Sequence, residues 1–350
     1  MRFLLRWIGR LLLVVALLAV MLVAPVIYVE TSCRGEGGDE DYASLLPSEH
    51  HRAESRTFMT YPEWHIVHAY DDYAKVISTG DPHEYGYLRS IGQFWSSLCQ
   101  LSEKSSAHGG IDGSTKQMVY VIGSSFTLEL MLKAAYEETI GRVATMLRGS
   151  LRAETDDLSA EQAAAYARFL QQIPWYKWGF REDAKALEAL QGQGFRDRER
   201  KTALGLEYGA KAAYADVIAA AVAEVGADDL TLRMVVSGTD PIDLASYDDV
   251  QLVGRHSEGF VIETPRYRAL TTLLSEMAAD GIDFVEIAGN DDILFTAISA
   301  EAARSDALYS FARQGYGDYR HLIVVKVADL ADRLRGMQEG GLELEHIHDY

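Results

Sequence analysis

Apolar residues run without a charge from Leu11 to Val29, after which the chain turns to helical and finally to alternating periodicity. At ~1.5 Å per residue the first run covers the ~30 Å hydrocarbon core of a bilayer. Arg2, Arg6 and Arg10 precede it, and Glu30, Glu36, Asp39, Glu40 and Asp41 follow. Basic residues stay on the cytoplasmic side, so the pattern predicts one transmembrane helix with everything past Val29 across the membrane. The competing reading is a cleaved signal peptide. No small-x-small exit ends the run, however, and the run is longer than a usual signal core. A lipoprotein site at Cys33 is disfavoured by Glu30 within Val29-Glu30-Thr31-Ser32.

From Glu30 to Ser55 the chain holds Gly, Ser, His and acids without apolar period, which predicts a flexible stalk. Thr60 and Glu63 form a capping-box pattern around Pro62, and Trp64, Val67, Tyr70 and Ala74 follow at helical spacing. After the Gly80-Asp81-Pro82 break, Tyr87, Ile91, Phe94, Trp95 and Leu98 mark a second helix. Residues 104 to 115 read as a loop. A long helix is expected from Ser124 to Leu147, its buried face carrying Leu128, Leu132, Tyr136, Ile140, Val143 and Leu147. Ser159 and Gln162 open another helix that Pro174 stops, and a last one spans Asp197 to Val225 before Gly226. Leu128-Glu129, Lys133-Ala134-Ala135-Tyr136 and Ile140 recur 78 residues later as Leu206-Glu207, Lys211-Ala212-Ala213-Tyr214 and Ile218, which suggests two paired helices of one bundle.

Beyond Gly226 the period shortens towards 2. Leu230–Val236, Gly259–Glu263, Ile282–Ile287, Ile293–Ile298, His321–Val327 and Leu342–Tyr350 read as strands, with helices at Tyr267–Ala279 and Leu330–Gln338. The order β-α-β-β, with a hairpin at Asn290-Asp291-Asp292, predicts a ferredoxin-like module. The expected fold class is therefore α+β: an N-terminal single transmembrane helix, an extracytoplasmic helical bundle, then a C-terminal ferredoxin-like α/β module. The expected divisions are 1–29 (anchor), 30–57 (flexible stalk), 58–226 (helical) and 227–350 (α/β).

A net charge of −19 over 350 residues sharpens this picture. Residues 1–29 contribute three arginines and no acids, so the rest is more acidic still and repels phosphate backbones; no nucleic-acid partner is expected. Cys33 and Cys99 are the two cysteines. They could pair in an oxidising compartment, but a flexible stalk around Cys33 argues against a fixed bridge.

Candidate chemistry is sparse. Glu63, His65, His68, Asp71 and Asp72 crowd one helix, and His65, His68 and Asp72 could converge as two imidazoles and a carboxylate of the kind zinc accepts. The order His-Glu-x-x-His is absent, and the interleaved Trp64, Val67 and Tyr70 favour an apolar contact face. His346 and His348 alternate along the last strand on the side of Leu342 and Leu344, which reads as the wet end of a packed face. His108-Gly109-Gly110 and Gly123-Ser124-Ser125 make no nucleophile elbow. Gly192-x-Gly194 and Gly315-x-Gly317 lack the third glycine of a dinucleotide site. Asp228-Asp229, Asp248-Asp249 and Asp291-Asp292 read as turn residues rather than calcium loops. Trp175, Tyr176 and Trp178 form an aromatic corner, with Trp64, Trp95, Tyr136 and Tyr214 in the same body.

No catalytic, cofactor or metal residue is assigned on this basis, and no cofactor is specified. The expected function is a single-pass, membrane-anchored accessory or scaffold protein of a cell envelope. It would sit in the inner membrane through residues 11–29, with its bulk in the periplasm and an envelope protein as partner. The alternatives are a metal-dependent hydrolase using His65, His68 and Asp72, and a carrier of lipid or another apolar ligand.

Overall fold

The computed structural model describes residues 2–38, 42–225 and 230–350. A mixed helical region comes first: α1 (Arg2–Ser32), α2 (Ser55–Thr79), α3 (Tyr87–Ser106), α4 (Gly113–Tyr136), α5 (Arg142–Arg148), α6 (Glu154–Leu170), α7 (Phe180–Ala189) and α8 (Phe195–Val225). Antiparallel sheets follow: β1 (Thr231–Ser237), a short α9 (Pro241–Leu244), β2 (Gln251–His256), β3 (Gly259–Pro265), α10 (Tyr267–Ala279), β4 (Asp283–Ile287), β5 (Asp292–Ser299), β6 (Tyr309–Ala312), β7 (Tyr319–Lys326), α11 (Val327–Arg335) and β8 (Glu343–His348). The expected stop at Gly226, the Asp228-Asp229 turn and the acids Asp39, Glu40 and Asp41 lie outside the described residues.

Two helices differ from their sequence patterns for identifiable reasons. α2 begins at Ser55, so Thr60, Pro62 and Glu63 lie inside it, and the Thr60 hydroxyl donates back to the Thr57 carbonyl (3.0 Å) instead of capping. α4 begins at Gly113 because Asp112 caps it, accepting from the amides of Ser114 and Thr115 (2.9 Å each). The end of the expected 104–115 loop is therefore already helix.

The orientation of α4 is the larger correction. Val119, Gly123, Phe126, Thr127 and Leu130 face inward. Leu132, Ile140, Val143 and Leu147, expected as its buried face, are exposed along α4, the π-turn Glu137–Gly141 and α5. Gly123 explains the choice, because a Cβ there would collide with the Phe94 ring at 2.5 Å. A small residue lets α3 approach closely on that side, and the tight α3 contact outcompetes the larger apolar stripe.

The sheets are two copies of one unit. β1-β2-β3-α10-β4 forms a sheet ordered β2-β3-β1-β4, and β5-β6-β7-α11-β8 forms one ordered β6-β7-β5-β8. Each copy carries the same irregularity, between Val235 and Val236 against β4 and between Thr296 and Ala297 against β8. The copies are 60 residues apart over their second halves: Leu270, Leu274, Met277, Gly281 and Ile287 recur as Leu330, Leu334, Met337, Gly341 and Ile347. Even the turn repeats, since Ile282 and Leu342 each donate an amide to the Met277 and Met337 carbonyls at 2.9 Å. The ferredoxin-like expectation fails at Asn290-Asp291-Asp292. That turn passes from the last strand of one sheet to the first strand of the other rather than joining hairpin partners. β2 and β6 are the strands that the alternation missed; both are short edge strands.

Both copies share one core, in which Met234, Ile262, Leu274, Met277 and Phe284 meet Phe295, Ile323, Leu330, Met337 and Ile347. The second sheet also offers Leu294, Phe311 and Leu322 to a core with Phe58, Tyr61, Phe94, Leu98 and Phe126 of the helices. The helical and sheet regions are thus packed through a common apolar interior, although the sequence divides them at 226 and 227.

The expected stalk is clamped rather than flexible. Cys33 is bridged to Cys99, which joins the end of α1 to α3. Gly38 donates to the Ser106 carbonyl, and Gly109 donates back to that of Gly38. Further on, the fully buried Glu286 carboxylate accepts from Tyr42 Oη (2.8 Å), Ser44 Oγ (3.0 Å) and the amides of Leu45 (2.6 Å) and Leu46 (3.1 Å). Four donors on one carboxylate hold the connection to the sheets.

Candidate functional site: a buried histidine cluster

The bulge in β8 decides what this site contains. Thr296 pairs with His346 and Ala297 with Leu344, so Glu345 is the extra residue. One extra residue reverses the alternation of a strand. Leu342 and Leu344 therefore join the shared core along with Ile347, whereas His346 and His348 turn towards α2. The expectation that these histidines form a wet end is overturned: both are fully buried.

α2 supplies the facing side. Tyr61, Trp64, His65, His68 and Asp72, at helical spacing, are all buried. Trp64 stacks on His346 with ring centroids 3.3 Å apart, Tyr61 meets His348 edge-on at 5.3 Å, and His346 meets His348 at 4.9 Å. The two histidine pairs singled out separately, 280 residues apart, thus converge in one cluster.

Charge enters from β7 and the turn after β6. Arg320, itself fully buried, donates Nε and Nη2 to the two Glu345 oxygens (2.5 and 2.6 Å). Burial pushes the Glu345 carboxyl up, but the Arg320 guanidinium outweighs it and holds the group below its ordinary value. Asp72 accepts from the Gln314 amide (2.8 Å) and stands 4.0 Å from Arg320. There burial wins, and Asp72 is pushed up to about 7 despite Arg320 and Gln314.

The histidines are not equivalent. His65 is engaged at both nitrogens, Nδ1 with Tyr61 Oη and Nε2 with the Ser90 carbonyl (3.2 Å each). His346 shares Nδ1 with Thr271 Oγ1 (2.9 Å), leaving Nε2 without a hydrogen-bond partner among the described residues. His348 lacks a partner at either nitrogen, and His68 Nε2 has only Glu345 Oε2 at 3.5 Å. Burial holds all four imidazoles below their ordinary pKa, His65 and His348 at about 3. They are neutral at physiological pH.

The hydrolase alternative needs His65, His68 and Asp72 around one ion. The structure gives them separate partners: Tyr61 and Ser90, Glu345, and Gln314. Among the described residues, one group of three already has its donor atoms within 4.8 Å of one another: Glu54, His108 and Asp292. His108 Nδ1 meets Glu54 Oε2 (3.0 Å), Nε2 lies 3.7 Å from Asp292 Oδ2, and Lys326 Nζ sits 3.1 Å from the same oxygen. Two carboxylates thus face one imidazole and one ammonium.

Elsewhere the expected sites take structural roles. Trp175, Tyr176 and Trp178 pack with Tyr70, Tyr166, Phe180 and Tyr208 in a small satellite core, and Trp178 donates to Asp183. Tyr214, which recurs at the position of Tyr136, lies against Trp175 but remains 47% exposed. The enclosed cavity beside Tyr70, Tyr73, Tyr85 and Tyr87 measures about 10 Å³, no more than one water and far below an acyl chain. Helices α4 and α8, which carry the recurring sequence pattern, meet through Glu129, Lys133, Glu207 and Lys211, which form a square of ion pairs.

By length and composition, Gly113–Arg148 is long and apolar enough to cross a membrane, whereas the described apolar part of α1, Leu18–Ser32, is shorter. α1 runs antiparallel to α4. Glu30 receives Lys116 Nζ (3.1 Å) and Tyr120 Oη (2.7 Å), and Ser124 Oγ donates to the Leu22 carbonyl (3.5 Å). An open groove of about 620 Å³ lies beside this junction, lined by Glu30, Lys116, Gln117, Val121, Ser124 and Ser125 among others. In comparison with known proteins, no protein-family model matches the chain, and neither curated proteins nor solved structures give a significant match.

Proposed function

We propose that the protein is a membrane-anchored accessory or scaffold protein of a cell envelope. α1 holds it in the inner membrane, the chain beyond Glu30 lies in the periplasm, and a membrane protein docks on the outer face of α4 and α5. One observation carries this reading: Leu132, Ile140, Val143 and Leu147 remain exposed on a helix that stands beside the anchor. Contiguous apolar surface of this kind marks an interaction site. The disulfide to α3 fixes the attitude of the body relative to the anchor, which suits a scaffold better than a tethered enzyme.

Topology and docking are tested separately. A periplasm-active reporter fused after Tyr350 should be active and a cytoplasm-only reporter silent; the reverse pattern sinks the orientation. Both native cysteines are bridged, so Leu132→Cys introduces a single free thiol. That thiol should resist a water-soluble maleimide in native membranes and react once detergent separates the partner. Equal, rapid labelling in both conditions removes the docking proposal.

A further inference from the structure

The fold brings together two sequence fragments that the scaffold reading leaves unused: His65-x-x-His68 on α2 and His346-x-His348 on β8. We propose that His68, His346 and His348 form a site for a divalent transition-metal ion such as zinc. Three buried neutral imidazoles present four nitrogens without a hydrogen-bond partner among the described residues. Each such buried group carries a desolvation cost, and native proteins rarely leave several together. A borderline cation removes that cost for every donor it takes.

The nitrogens belong to facing elements, α2 and β8. His346 is positioned by Thr271 Oγ1 on Nδ1, which leaves Nε2 as the nitrogen without a hydrogen-bond partner, and an outer hydrogen bond of this kind orients a metal-binding histidine. His346 and His348 are two apart on one strand face, the spacing that lets neighbouring imidazoles share an ion. His68 arrives from the opposite element. The rings are not yet converged, since Trp64 lies stacked on His346. Turning His348 breaks no hydrogen bond, because it makes none. His65 is excluded from the shell by its two existing partners.

The charges nearby are compatible with a cation. Arg320 is neutralised by Glu345, and Arg313 by Asp318 at 3.2 Å. At the competing cluster of Glu54, His108 and Asp292, by contrast, the Lys326 ammonium already stands beside Asp292. A cation there has to displace it.

The test is elemental analysis of full-length protein in detergent, purified without chelator and then titrated with Zn²⁺ and Co²⁺. Wild type should hold about one equivalent, and Co²⁺ should give the visible absorption of a four-coordinate site. His348→Gln should abolish binding, and Thr271→Val should weaken it ~10-fold or more through loss of the orienting bond. X-ray absorption of zinc-loaded wild type, which does not depend on any variant folding, should show three imidazoles. Absence of metal after titration, retention by a folded His348→Gln, or loss in His108→Gln alone overturns the proposal, the last by moving the ion to the Glu54 cluster. An absorption spectrum dominated by carboxylate oxygen does the same.

Discussion

Glu286 and His346 occupy the same position in two copies of one fold unit, each placed one residue beyond an equivalent bulge. The bulge turns both side chains away from the shared core. In the first copy that direction meets the tether, and a carboxylate binds its amides. In the second it meets α2, and an imidazole stacks on Trp64. The repeated topology thus presents two equivalent positions that serve different neighbours.

Removing the Glu286 carboxylate leaves buried amide and hydroxyl donors without an acceptor. Glu286→Ala should cost about 3 kcal/mol or more in chemical denaturation, since bonds to a charged acceptor contribute ~1.5–3 kcal/mol each and are not additive. Hydrogen exchange should accelerate at Leu45 and Leu46 before any change in the strands. Unchanged protection there removes the clamp.

Gly281 and Gly341 stand two residues before the equivalent strands β4 and β8 with φ of 89° and 66°, and a Cβ at either meets nothing within 4 Å. The cost of alanine is then conformational alone, about 1–2 kcal/mol at each site. Urea melts of the two single variants should agree within about 0.5 kcal/mol. A large difference breaks the equivalence of the two turns.

Leu130 and Leu132 are two residues apart on α4 but 4% and 62% exposed. Leu130→Ala should destabilise the detergent-solubilised protein by about 2–5 kcal/mol. Leu132→Ala should change stability by less than about 0.5 kcal/mol. Equal effects would restore the face that periodicity alone favours.

Lys133 Nζ is closer to Glu207 across the helices (2.9 Å) than to Glu129 on its own helix (3.5 Å). Burial raises the Glu207 carboxyl, but Lys133 and Lys211 overcome this and hold it at about 2, against an ordinary 4.5. A carboxyl lowered in the folded state stabilises above its unfolded pKa and loses that contribution as pH falls through the folded one. The Glu207 contribution should therefore be level above about pH 5 and be lost between about pH 4.5 and 2, so the acid-side decline is shallower in Glu207→Gln. Denaturation midpoints across that range provide the check. An equally steep decline in the variant assigns the acid loss to other groups.

The Cys33–Cys99 bridge closes a loop with a sequence separation of 66 residues. Chain entropy assigns about 4 kcal/mol to such a closure. Cys99→Ser should lower the thermal midpoint and free the 33–38 segment from α3, seen as new proteolytic cleavage near Gly38. A variant with wild-type stability and resistance shows that packing alone holds α1.

Local pattern alone determined the helices-then-strands order, most helix and strand positions, the apolar N-terminal run and the residues worth attention. These follow from periodicity and turn chemistry, which act over a few residues. Even the 60-residue duplication was present in the spacing of Leu270, Met277, Gly281 and Ile287, hidden because shared strand composition masks such repeats. Tertiary structure decided what depends on competition between distant surfaces. Two apolar faces were available on α4, and the close approach at Gly123 selected the smaller one. A strand's alternation predicts one face for Leu342 through His348, but the bulge at Glu345 reverses it, and pairing with β5 sets where the bulge falls. Cys33 met Cys99, and Trp64 and Tyr61 met His346 and His348, only because α1, α2, α3 and β8 pack side by side. Sequence spacing carries no information about such meetings, since their closure depends on the whole fold.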